Sequence, residues 1–449
     1  MQKILILLFI TSLFSFAKEI TFDEALNLLL QNNKELKSKK LDIKQSHAIL
    51  DEISANNYGA LSFKETYTNT NHAGYVFSSK LSSRKATFAD FGLASYIGPS
   101  SLTTAPKDLN YPKSVENYET KLTYDIPLFS GFELSNAKDI ANLQIQANKV
   151  KYEYDEKLLT LELLKAYNAC VASKEYVKAV KKAKKATSSF VNFANEMYKE
   201  GLVTKIDLQQ AQVHDLNTNA KLKEAQNKVL LSHSYLSFLI GIEIDDVKSF
   251  EEVNISNIDL KTIQEEALEK REDLKYIDLN TKSLKKDIKI KQADYFPKIG
   301  AHIEYGYSND KLKELNENQD FYLATVGLNM KIFDMTRGAK LEQSRIKYNK
   351  LMLQKEQFKD AIKLEVKENY LNYLSSQEIL TEKIKAQNLA EDILHKSEEM
   401  YKNKLINMTD LLIQQASLQK AQVEVIMSKF ELTFNKAKLK LSMGKSLKE

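Results

Sequence analysis

The fold is decided by the stretch YETKLTYDIPLFSG, from Tyr118 to Gly131, in which apolar and polar residues alternate up to a turn sequence. A second stretch of the same kind, YLATVGLNMKIFDM, runs from Tyr322 to Met335. Strict alternation over about ten residues indicates a β-strand with one apolar and one polar face. Tyrosine-rich strands of this length suit a membrane β-barrel, with the apolar face outward and the polar face inward.

Two further alternating segments, from Ile299 to Tyr307 and, more weakly, from Leu61 to Tyr67, bring the prediction to four strands per chain. Four strands cannot close a barrel in a membrane, because the smallest spanning barrels need about eight. Three chains of four strands would give twelve, so barrel closure predicts a homotrimer. The alternative is a small soluble sheet that caps the helices.

Short landmarks of the sequence occur twice in the same order. The MYK sequence of Met197–Lys199 returns at Met400–Lys402, and the pair Asp207–Leu208 returns at Asp410–Leu411. Each half reads as a helix, a strand, a loop, a strand, a very long helix, a turn and a helix. We therefore predict an internally duplicated α+β membrane protein, since a repeat of this period indicates stacked or ring-like units.

The duplication also sets the predicted boundaries of the chain. Residues 18–240 form the first structural repeat, and residues 263–449 form the second. The segment 241–262 is acidic and has little helix signal, so we expect it to connect the two repeats outside the helices.

Residues 1–17 have the pattern of a secretory signal peptide. Lys3 supplies a basic start, Ile4–Phe14 is apolar, and Ser15–Ala17 fits a small-x-small cleavage site. The apolar run is too short to span a bilayer. Cys170 is the only cysteine, so we expect neither an intrachain disulfide nor a lipid anchor at the cleavage site.

The distribution of glycine and proline predicts very long helices. Neither residue occurs between Gly131 and Gly201, nor between Gly338 and Gly444. Both residues break helices, so their absence allows continuous helices of roughly 100 Å, far longer than those of ordinary globular domains. The predicted long helices are Phe132–Glu200 and Ala339–Asn403, and the shorter ones are Thr21–Asn57, Asp207–Ile240, Ile263–Tyr295 and Asp410–Met443.

The helices carry a coiled-coil pattern. Alternating three- and four-residue steps, rich in alanine, run from Ala169 to Met197 along the first long helix. A seven-residue register follows the turn and is interrupted by Asp215. The second copy has leucine or valine at the corresponding places: Leu411, Leu418, Val425, Leu432 and Leu439.

Charge and motifs exclude several classes of function. The 65 basic and 60 acidic residues nearly balance, and the net charge of +5 is spread along helices, so we expect no nucleic-acid binding. No phosphate loop, nucleophile elbow or dinucleotide fingerprint is present. The six histidines are scattered, with none at the helix-face spacing of metal ligands. We therefore predict no enzymatic activity, no cofactor and no metal site.

These features together resemble the TolC-type outer-membrane efflux protein family, also called outer membrane factors, over essentially the whole mature length. The resemblance rests on Pro127–Gly131, on Tyr198–Leu202 followed by Asp207–Gln209, and on the duplicated plan. It implies a trimer with a twelve-stranded β-barrel in outer-membrane lipid, continuous with a twelve-helix α-barrel that crosses the periplasm. It also implies two partners, a periplasmic adaptor (membrane fusion protein) and an inner-membrane transporter of the RND or ABC class.

The function implied by the resemblance is a passive outer-membrane channel of a tripartite efflux or type I secretion system. The alternative is a periplasmic coiled-coil scaffold or adaptor. Adaptors normally carry one helical hairpin and a lipoyl-like β-domain, whereas this sequence predicts two hairpins and barrel-type strands. The nature of the transported substrate does not follow from the sequence, because a tunnel lined by mixed polar residues offers no substrate pocket.

The resemblance places the gate of the channel at the turns between the long and short helices. Asp410 matches a pore aspartate of the family, whereas Ile413 stands at a second such position and carries no charge. Tyr401 and Asp207 match a tyrosine and an aspartate that can hydrogen-bond between neighbouring helix pairs. Ile406 stands at the place of a locking arginine, so we expect a gate held more by apolar contact than by ion pairs. The alternative role for Asp207 and Asp410 is helix N-capping.

The same turns are the expected docking points for the adaptor. Gly201 and Leu202 lie in the turn of the first repeat, and Lys404 and Leu405 lie at the corresponding places of the second.

Overall fold

The computed structural model describes residues 19–255, 259–312 and 317–447, so the predicted signal peptide of residues 1–17 lies outside the described residues. The elements, in chain order, are β1 Glu19–Ile20, α1 Phe22–Asn32, α2 Lys34–Ala55, β2 Ala60–Thr70, α3 Ala73–Ser82, α4 Lys107–Asn110, β3 Val115–Phe129, α5 Glu133–Lys199, α6 Lys205–Ile240, β4 Asp246–Val247, α7 Leu260–Lys270, α8 Glu272–Ala293, β5 Lys298–Asn309, β6 Asp320–Asn329, α9 Thr336–Lys402 and α10 Met408–Ser442. The predicted duplication is visible, because the order α1, α2, β2, β3, α5, α6 returns as α7, α8, β5, β6, α9, α10.

The two long helices are as the sequence predicts. Helices α5 and α9 contain 67 residues each and end at equivalent lysines, Lys199 and Lys402. Their interiors lack glycine and proline, apart from Gly338 in the first turn of α9, so nothing in the backbone chemistry interrupts them.

The prediction of one unbroken helix at the start of each repeat is wrong. The first helix breaks at Asn33, whose ψ of 125° is not helical. The Asn33 side chain accepts hydrogen bonds from the N–H groups of Glu35 and Leu36 at 2.9 and 3.1 Å, and so caps α2. The second helix breaks at Arg271, whose buried guanidinium pairs with Asp273. Polar groups that stabilise a helix end produce both breaks without glycine or proline.

The chain divides into two compact units. Within the described residues, the first comprises 19–43, 147–255, 259–278 and 353–447, and the second comprises 44–146, 279–312 and 317–352. Each unit therefore draws residues from both halves of the chain.

The first unit contains three clusters of buried apolar side chains. One surrounds Tyr167, whose hydroxyl donates to the backbone oxygen of Ile20 at 2.9 Å. Next to it, β1 and β4 form a two-residue parallel pair that the sequence pattern did not predict. A second cluster joins α7 to α9 and α10. The third lies where α5 and α9 turn into α6 and α10, and it is described below with the candidate site.

The second unit contains an antiparallel sheet in the order β2-β3-β5-β6. One row across its apolar face joins Phe63, Leu122, Tyr305 and Tyr322. The polar face carries ion pairs, among them Lys121 with Glu304 at 3.1 Å. The predicted alternation is thus confirmed, although β6 ends at Asn329, before the end of the alternating stretch from Tyr322 to Met335.

Among the described residues, the edge strands β2 and β6 of this sheet each pair with another strand on one side only. Most of their side chains are exposed. Large apolar side chains stand open on both edges: Leu61, Phe63, Tyr67, Tyr322, Val326 and Leu328. An exposed apolar edge strand is a template for pairing with another chain.

None of the helices in the described ranges is both long enough and apolar enough to cross a membrane.

Candidate functional site

The turn between α5 and α6 has the hydrogen bonds of a Schellman motif. The N–H of Leu202 donates to the carbonyl of Met197 at 2.8 Å, and the N–H of Gly201 donates to that of Tyr198 at 3.0 Å. This motif needs a left-handed residue after the helix, and Gly201 supplies it with a φ of 67°.

The turn between α9 and α10 repeats this geometry with a different residue. The N–H of Leu405 donates to the carbonyl of Met400 at 2.8 Å, and the N–H of Lys404 donates to that of Tyr401 at 3.0 Å. Lys404 adopts the left-handed conformation with a φ of 61°. A side chain with a Cβ is strained there by roughly 1–2 kcal/mol, so the second turn stores strain that the first avoids.

Asp207 is part of a complete capping box at the start of α6. Its carboxylate accepts hydrogen bonds from the backbone N–H and the hydroxyl of Thr204 at 2.9 and 2.7 Å. The hydroxyl of Thr204 in turn accepts from the N–H of Asp207 at 3.2 Å. These bonds satisfy donors that a helix N-terminus leaves open, so Asp207 has the capping role considered above.

Asp410 occupies the equivalent position of α10 but is bound differently. The side chain of Asn407 accepts a hydrogen bond from the N–H of Asp410 at 2.9 Å. The carboxylate of Asp410 is exposed and has no hydrogen bond or ion pair with any described residue. Its charge is therefore available to solvent and to ions.

Tyr401 is the centre of the apolar cluster between the two hairpins. It is 4% exposed, and its ring meets that of Phe193 edge-to-face at 5.7 Å. Its buried hydroxyl has no hydrogen-bond partner in the described part of the chain. Burial raises the pKa of Tyr401 above its usual value, and the negative charge of Asp207 raises it further. Tyr401 and Asp207 form no direct hydrogen bond in the described part of the chain, because both bonds of the Asp207 carboxylate go to Thr204.

The two isoleucines at gate positions have different surroundings. Ile406 is half-buried and packs against the same cluster as Tyr401 and Met408. Ile413 is 53% exposed and lines an open groove of about 490 Å³ between α6 and α10, together with Val213. Neither side chain can form an ion pair.

Direct polar contacts between the hairpins are few in the region of this cluster. The hydroxyl of Thr409 on α10 donates to the side chain of Gln210 on α6 at 2.8 Å. Among the described residues from Ala186 to Leu418, no ion pair joins the α5–α6 hairpin to the α9–α10 hairpin. Apolar side chains therefore form most of the contact near this cluster in the described part of the chain, and the gate expected from Ile406 and Ile413 stays a prediction.

Several buried polar groups near the cluster lack partners. The side chains of Gln415 and Gln419 are 4% and 7% exposed, and each has an amide atom without a hydrogen bond in the described residues. The same holds for Nδ1 of His214. Each such group costs about 1–3 kcal/mol, so this end of the bundle is packed less favourably than an apolar core of the same size.

A polar network crosses the seam of the first hairpin at Asp215. Its carboxylate accepts from Lys184, Thr187 and Ser188 at 2.5, 2.8 and 3.0 Å. Burial works to raise the pKa of Asp215, but these three hydrogen bonds outweigh it and hold the pKa below the usual range. The interruption of the seven-residue register was the sequence signal for this network, although its partners could not be identified.

The predicted docking residues are all exposed. Gly201 and Lys404 lie at the surface, and no atom lies within 4 Å of a Cβ built on Gly201. Leu202 and Leu405 follow them and are 50% and 69% exposed. Two apolar side chains therefore stand in solvent at equivalent turns, where a protein partner could cover them.

In the described ranges, no group of three His, Cys, Asp or Glu side chains could hold a metal ion. Cys170 is buried, and burial raises its pKa to about 11, so it is not a reactive thiol.

The sequence matches the family described as outer membrane efflux protein over residues 25–242 and 263–445. No individually curated protein is similar enough to match by sequence.

Solved channels have the same fold. The structure of CusC, described for its folding and transmembrane channel formation, superimposes with a TM-score of 0.78 at 14% identity, covering 96% of this chain and 94% of that one. The CmeC outer membrane channel of Campylobacter jejuni gives 0.76 at 13% identity, covering 94% and 85%. The MtrE outer membrane channel of Neisseria gonorrhoeae, in its open state, gives 0.74 at 14% identity, covering 95% and 89%.

Proposed function

The chain belongs to the outer membrane efflux protein family, and from this premise we propose that it is the outer-membrane channel of a tripartite efflux or type I secretion system. In this role it is a passive duct that carries substrates from a transporter and an adaptor to the exterior.

Membership of the family confirms the coarser predictions. The chain is an outer-membrane efflux channel protein and not an enzyme, and its fold class is the duplicated α+β channel fold with four strands in the main sheet. The family match and the two helical hairpins favour the channel over the scaffold or adaptor considered from the sequence. We further propose that residues 18–240 and 263–449 are the two structural repeats, joined by residues 241–262.

The observation that carries the proposal is the open sheet of the second unit. Successive strands of the sheet run in opposite directions, so the edge strands β2 and β6 are antiparallel to each other. Among the described residues neither edge has a further strand beside it, so β6 of one copy could pair with β2 of another. Pairing of β6 with β2 of the next copy would satisfy both edges. Three copies would close a ring of twelve strands with the apolar row of Phe63 and Tyr322 outward.

The gate in this proposal is the cluster where the hairpins end. The apolar cluster around Tyr401, which includes Phe190, Met408 and Leu411, holds the α5–α6 hairpin and the α9–α10 hairpin of one chain together. Asp410 supplies an unpaired charge. In a trimer, three Asp410 carboxylates near the axis would attract cations to the entrance. The unpartnered amides of Gln415 and Gln419 lower the cost of separating the helices, because separation lets water satisfy them.

The partners in this proposal are a periplasmic adaptor and an inner-membrane transporter of the RND or ABC class. The turns support an adaptor contact, because Leu202 and Leu405 present apolar surface at both helix ends. Gly201 and Lys404 fix the backbone that presents these leucines.

The proposal is tested by reconstituting the mature protein, purified in detergent, into planar bilayers. We expect discrete single-channel steps with a preference for cations. A protein that sediments with membranes yet never conducts would overturn the channel role, and a protein that is soluble without detergent would favour a scaffold.

A further inference from the structure

The loop of residues 71–114 joins β2 to β3 at the end of the sheet opposite the start of α5. The residues that flank it, Thr70 and Val115, lie directly across from each other in the strand register. A turn of two residues is enough to connect such a pair. The rest of the loop is therefore not needed to form the hairpin.

The loop has a folded structure of its own. The rings of Phe77 and Phe91 meet edge-to-face at 4.9 Å, and Lys80 forms an ion pair with Asp90. Gly92 lies so close to Pro106 that a Cβ on the glycine would come within 2.5 Å of the proline ring. These contacts join residues that are far apart in the loop and give it a defined shape.

The loop is also attached to the far side of the sheet. Helix α3 packs against β3 and β5. Lys85 forms an ion pair with Asp310 beyond the end of β5, and the guanidinium of Arg84 donates to the backbone oxygen of Asp320 at the start of β6 at 2.7 Å. Together these two contacts form a latch between the loop and the β5–β6 end of the sheet.

Burial identifies the face of the sheet on which the loop packs. Asn117 and Ser308 lie on the polar face near the loop and are 8% and 0% exposed. On the apolar face at the same end, Tyr67 and Tyr305 remain 53% and 45% exposed. Val76 of α3 is 4% exposed. The loop therefore covers the polar face and leaves the apolar face open.

The polar face of the sheet becomes the inner face of the barrel in the trimer described above. We propose that the loop of residues 71–114 is a plug, which stands inside the exterior mouth of the channel and narrows it until the latch opens. The inference rests on the proposed function, because an inner face exists only if three sheets close into a ring.

Three copies of α3 are wide enough to fill this mouth. Twelve strands about 4.8 Å apart and tilted by about 40° form a ring roughly 24 Å in diameter. Three helices side by side, each roughly 10 Å wide, occupy a circle of roughly 22 Å. The loops also expose large apolar side chains that could pack on one another near the axis: Phe88, Ile97, Leu102 and Tyr111.

The latch suits a plug that opens without unfolding of the sheet. The side chains of Lys85 and Asp310 are 40% and 49% exposed. An ion pair with this exposure contributes little to stability and is screened by salt. Reversal of one charge should therefore weaken the latch more than neutralisation would, because it replaces a weak attraction by repulsion.

The plug is tested first by labelling from outside. Ser62 is exposed on β2 and lies opposite Thr123 on the polar face, about 26 Å along the strand from the loop. In intact cells, S62C should react with a bulky polymer-linked maleimide at least tenfold more slowly than S100C, on the exposed surface of the loop. The native Cys170 is buried and gives little background. Equal rates for S62C and S100C would overturn the proposal.

Removal of the loop is the second test. Residues 71–114 are replaced by Asn-Gly, which forms the two-residue turn that Thr70 and Val115 allow. In this loop-less variant S62C should react at least tenfold faster than with the loop present. An unchanged rate in a variant that still assembles as a trimer would overturn the proposal.

The latch is tested by charge reversal, which leaves the loop in place. K85E and D310K should each speed the labelling of S62C at least threefold, because like charges then face each other. The double variant K85E/D310K restores opposite charges and should return to the rate of S62C alone. The control K113E, at an exposed lysine of the same loop, should keep that rate. If neither K85E nor D310K changes the rate, the latch does not hold the plug.

Bilayer conductance of the parent and the loop-less variant separates the two proposals. If neither protein conducts, the proposed function fails. If both conduct and S62C reacts at the same rate with and without the loop, only the plug inference fails.

Discussion

Asp207 and Asp410 stand at the same position of two equivalent helices, three residues after the N-cap, yet only the carboxylate of Asp207 bonds back to its cap. Both cap side chains accept a hydrogen bond from the N–H of the aspartate, but only Thr204 also donates to the carboxylate, through its hydroxyl and its backbone N–H. One aspartate therefore caps a helix, and the other keeps an exposed carboxylate, as its proposed role in the pore requires.

The pair predicts opposite phenotypes for matched substitutions. Asp410→Asn should lower cation selectivity and block by multivalent cations, with little change in the stability of the assembly, because no protein contact is lost. Reversal potentials in asymmetric salt measure the first effect, and thermal unfolding measures the second. Unchanged selectivity together with earlier melting would show that Asp410 is only a capping residue.

Asp207→Ala should leave selectivity unchanged and destabilise the start of α6. We expect a loss of about 1 kcal/mol, the usual size of a capping contribution. Hydrogen exchange of the amides of residues 204–208 measures it locally. If Asp207→Ala abolishes cation preference instead, the carboxylate of Asp207 faces the pore in the assembled channel.

Tyr401→Phe is predicted to have little effect on stability or conductance. The Tyr401 hydroxyl is buried without a partner, so its removal should be neutral or stabilise the cluster by up to about 1 kcal/mol. Closed-state conductance should not change. A large increase in conductance would show that the hydroxyl forms a hydrogen bond, such as the one with Asp207 that the family resemblance implies, in the assembled channel.

Lys404→Gly should stabilise the second turn. Glycine removes the strain of the left-handed conformation, and its greater freedom in the unfolded chain offsets part of the gain, which leaves about 0.5–1 kcal/mol. The matched change Gly201→Lys should destabilise the first turn by a similar amount. Hydrogen exchange of the two turns compares both variants with the parent, and slower exchange in Gly201→Lys would contradict the assignment.

The stability of the first hairpin should fall in mild acid because of His214. Burial lowers the pKa of His214 below its usual 6.5, and the charge of Lys221 lowers it further. The folded state thus disfavours the protonated ring, so this contribution is complete above 6.5 and is lost as the pH falls through the lowered pKa. His214→Gln should flatten the decrease in unfolding temperature between about pH 7 and about pH 5. The control His395→Gln, at an exposed site, should keep the slope of the parent, and a parent slope in His214→Gln would contradict the prediction.

The order and type of the main helices and strands could be predicted because they depend on the spacing of apolar residues along the sequence and on the positions of glycine and proline. Alternation from Tyr118 to Gly131 requires a two-faced strand, and the stretch without glycine or proline up to Gly201 permits one long helix. The breaks at Asn33 and Arg271 could not be found in this way. Both depend on side chains that cap or pair after folding, and neither residue is a helix breaker by itself.

The candidate site was only partly accessible from the sequence. The repeated landmarks located Tyr401, Asp207 and Asp410, but they could not separate a bonded carboxylate from a free one, because this depends on the donor at the cap. The left-handed backbone of Lys404 is not suggested by the residue type, and the only signal for it is that Lys404 takes the place of Gly201 in the second repeat.

The central claim is that three copies of this chain close one channel, and the mass of the detergent-purified protein tests it most directly. The full sequence has a mass of 51.4 kDa, and the mature chain is lighter. Native mass spectrometry should show one species at about three times the mass of the mature chain. Strands β2 and β6 would then pair between copies. A stable monomer or dimer under conditions that preserve the fold would contradict the account, because neither could close the sheet.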